Sequence, residues 1–493
     1  MDEFFFQELS EENYHKKNED LNKFFKNIYY YYLKGGIYNI ITTKILDIFS
    51  LLFFGIFMLN VFVFFDWGNI LKCGNTIETI NDCGDIMKYI SIENFNDNNF
   101  FQIMILLFTS GIFTFTLYKI LLFYPLCKDF YDIDCYYVSV LNISRTELSS
   151  KTWSDIVYRI SQHKNIPVDI IVNNIMRDEN YFIAIMQKDL FKIPNIYFTK
   201  QMEINLFYGL NSETIYNKDI SSIKKRIIYL GIFNLILSPF ILIYNIISFI
   251  FLNIDELYIN KKVLGPRRYT LYFKWKMRQY NELEHHFNNR VNRSLKHSIE
   301  YTKQFPSLFI ENIAKFILFL SGGFIVFFLL LSVLDENILL YVTFLNRSLI
   351  FYAGLCGTIS AICKSFIYEP ENSVFNPNKV MSDIIKETCY DPGYWQSNAH
   401  KLDIRNEFLE YFRYIIILFF YDILSVIMTP YLLIFVVSKQ ANIIHSFLKH
   451  NTTYKVNIGN ICTLSDFKEN NNDQKLQNSI LCFSGNYPDW KDY

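Results

Sequence analysis

The sequence predicts an all-α polytopic membrane protein. Four transmembrane helices, two proline-broken re-entrant segments, cytosolic helical elements and a small C-terminal β-hairpin make up the expected fold. Three observations lead there. Of the 493 residues, 51% are hydrophobic and 18% aromatic. The apolar residues gather into at least five long runs, which a chain folded in water rarely carries. Two of those runs hold a proline near the middle, at Ser238-Pro239 and Thr429-Pro430.

Residues 1–36 are mixed in charge and rich in tyrosine, and read as a cytosolic tail or short amphipathic helix. The start, MDEFFFQELSEENYHKKNED, is charged too early for a cleavable signal. Tyr30-Tyr31-Tyr32-Leu33 has the spacing of a sorting signal read by vesicle adaptors, a pattern that often arises by chance. The first span centres on Ile48 to Phe65, with Lys44 and Asp47 at its start, where a lysine can snorkel. Residues 66–99 follow with six acids against Lys72 and Lys88, and read as a lumenal loop. Cys73 and Cys83 share that loop, so a disulfide is open there. Phe100 to Tyr124 is the second span, completing a region over 37–124.

Residues 125–226 read as a cytosolic helical region. Thr152-Trp-Ser-Asp155 is a capping box, and Trp153, Ile156, Val157 and Ile160 repeat with helical period. Val168 to Phe191 reads as the next helix. Ile227 to Leu252 then runs 26 residues without a charge. At about 1.5 Å per residue it is long enough to cross a bilayer. Pro239 removes a donor and crowds the preceding turn, so two half-helices rival one rod. Residues 253–308 are a basic cytosolic segment.

Phe316 to Leu334 is the third span, and residues 335–346 form a short acidic loop. Ser348 to Cys363 is the fourth span. Its Ala353, Gly357 and Ala361 recur every four residues, a face for close helix contact. Residues 365–413 are polar, with Asn376-Pro377 as a helix start. Tyr414 to Val437 is the last apolar run, holding Asp422 and broken at Thr429-Pro430. In the C-terminal region, 438–493, Tyr454 to Phe467 and Lys475 to Phe483 read as short strands.

Charge argues for re-entry. Loops 125–226 and 253–308 are both basic, and cytoplasmic loops carry excess Lys and Arg. A full crossing at Ile227–Leu252 would put one of them in the lumen. Turning back at Pro239 and Pro430 keeps both in the cytosol, along with both termini.

Several segments resemble the autophagy-related protein 9 family of integral membrane proteins. They are Trp153-Ser-Asp-Ile-Val-Tyr-Arg159, Asp169 through Tyr181, Leu235-Ile-Leu-Ser-Pro-Phe240, Leu264-Gly-Pro-Arg267 through His285, Gln304-Phe-Pro-Ser307, Ala399-His400 with Arg405-Asn-Glu-Phe408, Leu424 through Pro430, and Asn486-Tyr-Pro-Asp-Trp490. They follow the family's order over roughly residues 37 to 490. The resemblance implies a domain-swapped homotrimer with exchanged helices and re-entrant segments. It also implies phospholipid scrambling, and carriage in Golgi- or endosome-derived vesicles to the preautophagosomal membrane. There the lipid-transfer protein autophagy-related protein 2 is the implied partner. The chain departs from the pattern at both ends, with a short N-terminal tail and without the long C-terminal tail, which leaves tail-borne regulation open. Of the family's basic-acidic cluster, only Lys261-Lys262 stands here.

The chemistry narrows the function. Net charge is −1, which gives no bulk field for nucleic acid. There is no C-x-x-C pair among the nine cysteines, no Walker loop, no G-x-S-x-G and no H-E-x-x-H. No cofactor, fuel or covalent enzyme chemistry is expected. Glu282, Glu284, His285 and His286 look like metal ligands on paper, but adjacent histidines do not share a helix face, so no metal is assigned.

A phospholipid head loses water when it crosses hydrocarbon, and a polar groove replaces that water. Lys261, Lys262, Arg267, Arg268, Lys274, Lys276 and Arg278 are candidates for meeting phosphates at a cytosolic mouth. Thr358 and Ser360 are candidates for an inner wall. The alternatives are a solvated juxtamembrane face for the cations and helix packing for the two hydroxyls. Asp422 within an apolar run points to a cavity or to a cation such as Lys315. The expected function is an energy-independent scramblase. A non-transporting scaffold that recruits partners and an ion or solute carrier are the rivals.

Overall fold

The computed structural model describes residues 21–73, 86–91, 100–209, 220–259, 266–305, 308–345, 347–367, 375–455, 459–468 and 473–490. Lys261, Lys262 and Cys83 lie outside them, and with Cys83 the disulfide reading. The chain forms two compact units, Met1–Val168 and Asp169–Tyr493.

In the first unit a helix over 21–34 leads into the Ile37–Leu59 helix through Gly35 and Gly36. Their φ values of 69° and 102° are ones glycine reaches without strain. The sorting-signal residues thus lie in a helix, with Tyr31 buried and Tyr32 half-buried. Ile37–Leu59 packs along Phe100–Ser139, a 40-residue helix that runs through Pro125. Gly55 lets it approach Phe113, whose ring a Cβ would meet at 3.2 Å. The N-terminal helix is fixed to the far end of Phe100–Ser139. Tyr31 stacks on Tyr137 and donates from its hydroxyl to Asp134 Oδ1 at 2.5 Å. Arg145 grips the same buried carboxylate with Nε at 3.0 Å. The capping box at Thr152 forms as expected and starts Trp153–Lys164. Trp153 packs edge-on to Tyr29.

In the second unit the expected helix over Val168–Phe191 is two, Val168–Ile175 and Arg177–Gln187. Met176 between them sits at φ −92°, ψ 14°, the bridge region. The change of direction brings Asn180 to Asn281 and Phe182 to Trp275.

Neither central proline divides its helix. Ile220–Ile259 is one 40-residue helix through Pro239. A proline at 239 leaves the Leu235 carbonyl without its N–H donor, and the Ser238 hydroxyl donates to that carbonyl at 2.8 Å. Ile415–Tyr431 runs through Pro430 and passes into a π-helical stretch, Leu432–Val437, then Ser438–His450. Serine back-bonding and a π register shift are ways an apolar helix tolerates proline. The expected meeting of half-helices is therefore replaced by continuous helices. Among the described residues, five helices are long and apolar enough to cross a membrane, by length and composition. The helices of Pro239 and Pro430, called the proline-bearing pair below, are among them, as is the Pro125 helix, while Leu349–Lys364 is shorter.

These two helices pack closely. Phe249 stacks on Phe419 at 3.9 Å. A Cβ on Gly231 would lie 2.6 Å from Ile434 Cγ1. The Lys200–Gly209 helix packs against both. Leu308–Leu334 and Leu349–Phe366 form a separate hairpin, turned by Glu336–Tyr341 and the β2–β3 pair (Thr343–Phe344, Arg347–Ser348). Strand β1 (Arg267–Tyr269) pairs antiparallel with β4 (Phe412–Tyr414). This ribbon borders a core of Phe273, Trp395, Phe408 and Phe412. The C-terminal hairpin is β5 (Thr452–Lys455) with β6 (Gly459–Cys462). Lys475 to Phe483 is not a strand but lies in the Gln474–Asn486 helix. Asp473 caps it, and Leu476, Ser479 and Phe483 are buried with helical spacing. A short apolar run fits either period, and the cap decides.

Gly231→Val should wedge the proline-bearing helices apart. A cost of about 1–3 kcal/mol is expected from overpacking, read as a lower thermal midpoint of the detergent-solubilised protein. Combining it with Ile434→Ala should restore part of the loss.

Candidate functional site

A polar seam lies between the proline-bearing helices and Lys200–Gly209. Asn234 sits in the middle of an apolar run yet is buried. Its Nδ2 donates to Asn205 Oδ1 at 2.6 Å, and its Oδ1 accepts from Gln201 Nε2 at 3.1 Å. Thr199 and Ser425 share a hydrogen bond of 2.7 Å. Asp422, Ser425 and Thr429 fall at i, i+3, i+7, so one face of Ile415–Tyr431 is polar. Thr429 Oγ1 is buried without a partner among the described residues. The half-buried Asp422 carboxylate has no partner among the described residues, and Lys315 pairs with Glu311 at 2.7 Å instead.

The sequence reading singles out Asp422 and Thr429 but none of Thr199, Gln201, Asn205, Asn234 and Ser425. An amide within an apolar helix and the i, i+3, i+7 spacing were the available signals. The partner helix, Lys200–Gly209, is too polar to show as a membrane element.

The basic segment is a folded module. Thr270 caps the short Leu271–Met277 helix, and Phe273, Trp275 and Met277 are buried. Trp275 Nε1 donates to Glu203 Oε1 at 2.7 Å, which ties the module to the seam's third helix. Lys276 pairs with Asp189 at 2.7 Å. Arg278 lies over Trp275 and Phe287. Arg267 stacks 3.8 Å above the Tyr414 ring. Arg268 is exposed, opposite Arg413 in the ribbon. Burial, with Arg268 beside it, holds Lys274 below the ordinary lysine value.

The expected cations therefore do not form one open sleeve. Arg267, Arg268 and Lys274 gather near the β1–β4 ribbon, while Lys276 and Arg278 are engaged in the module. Thr358 donates to the carbonyl of Leu355, and Ser360 bonds Ser321 at 2.7 Å. Both hydroxyls belong to the separate hairpin, and Ser360 joins its two helices.

Glu282, His285 and His286 also find structural surroundings. Glu282 and Arg290 form a buried two-pronged pair, Nε to Oε1 and Nη2 to Oε2, each 2.7 Å. Burial would raise the Glu282 carboxyl, but Arg290 holds it below its ordinary value. Burial pushes His285 and His286 down to about 4.

The sequence and the fold both resemble those of known proteins. A family profile, "Autophagy protein ATG9", matches residues 13–468. The chain belongs to this autophagy family. It is 27% identical to Autophagy-related protein 9 of Arabidopsis thaliana, over 96% of this chain and 61% of that protein. The Dictyostelium discoideum relative is 28% identical over 96% of this chain and 73% of that one. The Eremothecium gossypii relative is 28% identical over 92% and 53%. The chain thus spans between about half and three quarters of these relatives. A cryo-EM structure of Schizosaccharomyces pombe Atg9 has the same fold, with a TM-score of 0.64 and 24% identity. It matches 91% of this chain and 98% of that one. Together with the five apolar helices, this makes the chain a multi-pass membrane protein of the autophagy family.

Glu282→Gln should cost about 3–5 kcal/mol, because it leaves the Arg290 charge buried and uncompensated, and should lower the thermal midpoint accordingly. The histidines give a pH test. Unfolded, each titrates near 6.5, whereas folded they titrate near 4. The unfolded chain binds more protons between those values, so stability falls as pH drops from about 6.5 to about 4. Replacing both with Asn should flatten that fall in a thermal-midpoint series against pH.

Proposed function

We propose that the protein equilibrates phospholipids between leaflets without an energy source, during membrane growth in autophagy. The observation that carries this reading is the polar seam between two apolar helices of span length. A headgroup entering hydrocarbon loses its hydration, and fixed amides, hydroxyls and a carboxylate substitute for it. Asn234, Ser425, Thr429 and Asp422 are the seam groups we assign to headgroup contact. Thr429 and Asp422 hold unused capacity, and the Asn234–Asn205 bonds are exchangeable for bonds to a headgroup. Arg267, Arg268 and Lys274 are assigned to capture phosphate for the seam, and Lys261 and Lys262, outside the described residues, are assigned the same task from the sequence. Family membership supports a role in autophagosome formation, and a trimer working with a lipid-transfer protein is part of the same proposal.

The second reading is a scaffold that recruits partners and moves no lipid. It is favoured by the pairing of Lys276 and Arg278 within the basic module, and of Ser360 with Ser321.

Reconstitution into liposomes with a leaflet-selective quencher separates the two. The protein should accelerate exchange over empty liposomes. Asn234→Leu with Thr429→Val should slow it about tenfold, near 1.4 kcal/mol of barrier, with assembly unchanged on size exclusion. Neutralising Lys261, Lys262, Arg267 and Arg268 should also slow it. No acceleration by the wild type overturns the reading, and a scaffold would lose nothing in either variant.

A further inference from the structure

The β1–β4 ribbon stands where the Ile415–Tyr431 helix begins, with the amide of Ile415 bonded to the carbonyl of Pro266 at 3.1 Å. Three arginines converge on it without a counter-charge. Arg267, half-buried over the Tyr414 ring, donates Nη1 to the Phe412 carbonyl at 3.2 Å. Among the described residues Arg405 donates only to Asn406 Oδ1, at 3.1 Å, and its buried Nε has no acceptor. The Nε of Arg413 is likewise buried and orphaned, and the Arg413 side chain has no hydrogen bond or ion pair among the described residues. No described carboxylate pairs with any of the three.

Buried guanidinium donors are normally satisfied, and an orphaned one marks a missing partner. Burial, with Arg405 and Arg413 adding to it, holds Arg267 below the ordinary guanidinium value. The local field is therefore positive. A planar fork of N–H donors matches the oxygens of a phosphate. Tyr411 and Tyr414 beside the apolar helix are residues typical of the headgroup level.

We infer that Arg267, Arg405 and Arg413 form a resident phosphate site at the base of the last apolar helix, suited to the headgroup of an anionic lipid. Such a lipid would supply the missing counter-charge and pin the ribbon to the membrane surface. Arg267 is shared with the phosphate-capturing set of the proposed function, whereas Arg405 and Arg413 belong to this site alone, so a test placed on those two separates residence from transit.

Thermal unfolding of the full chain in detergent tests this. Dioctanoyl phosphatidic acid should raise the midpoint with concentration, and dioctanoylglycerol, which lacks the phosphate, should not. Arg405→Gln with Arg413→Gln should need at least about tenfold more phosphatidic acid for the same shift. Inorganic phosphate serves as the second arm. An equal shift assigns the site to free phosphate, and a shift with lipid alone assigns it to a headgroup. No shift with either probe, or an unchanged response in the double variant, overturns the inference. Should the double variant fail to fold, phenylglyoxal labelling of the wild type replaces it. Phosphatidic acid or phosphate should then protect Arg413 in peptide mass spectra, and unprotected labelling overturns the site.

Discussion

The close approach of the two proline-bearing helices is the constraint on which the rest of the second unit depends. Gly231 lets Ile434 come to a distance that any side chain would forbid. Phe249 and Phe419 stack at another contact along the pair. In hydrocarbon, helices gain little from hiding apolar surface from each other, so small residues and polar bonds decide which faces meet. The Lys200–Gly209 helix packs against both, with Asn205 bonded to Asn234 of one and the preceding Thr199 to Ser425 of the other. The buried amides and hydroxyls mostly satisfy one another, and Thr429 and Asp422 are left over.

Proline would ordinarily endanger such a pair. Ser238 answers the freed carbonyl of Leu235 from the neighbouring position, so Ile220–Ile259 needs no other segment to repair it. The other helix shifts into π geometry after Pro430 instead. That shift widens the helix next to Gly231, where Leu433 and Ile434 reach across. Two different repairs thus leave two helices continuous and keep their contact tight.

The basic segment shows why cation counts mislead. Lys276 and Arg278 are consumed by Asp189 and by aromatic faces, and Arg290 by Glu282. These interactions fold the segment into a rigid bracket, with Trp275 bonded to Glu203 on the seam's third helix. What remains unneutralised is a smaller set around the β1–β4 ribbon. Its position beside the start of an apolar helix is what carries the proposed phosphate site, which net charge alone does not suggest.

Much of the fold was legible without coordinates. Long apolar runs located the membrane helices, the Thr152–Asp155 capping box located a helix start, and Asn376-Pro377 located another. Those signals are local, fixed by period and by the chemistry of a few neighbouring residues. The motif series pointed to the family because order and spacing survive where single positions do not. Tertiary structure decided what local signals leave open. Whether a proline breaks a helix depends on which donor reaches the orphaned carbonyl. Whether Lys475 to Phe483 is strand or helix depended on the Asp473 cap and the surface it packs on. Which polar residues form a site was decided by partners far apart in the chain, since Thr199 meets Ser425, and Asn205 meets Asn234, only when three helices have packed.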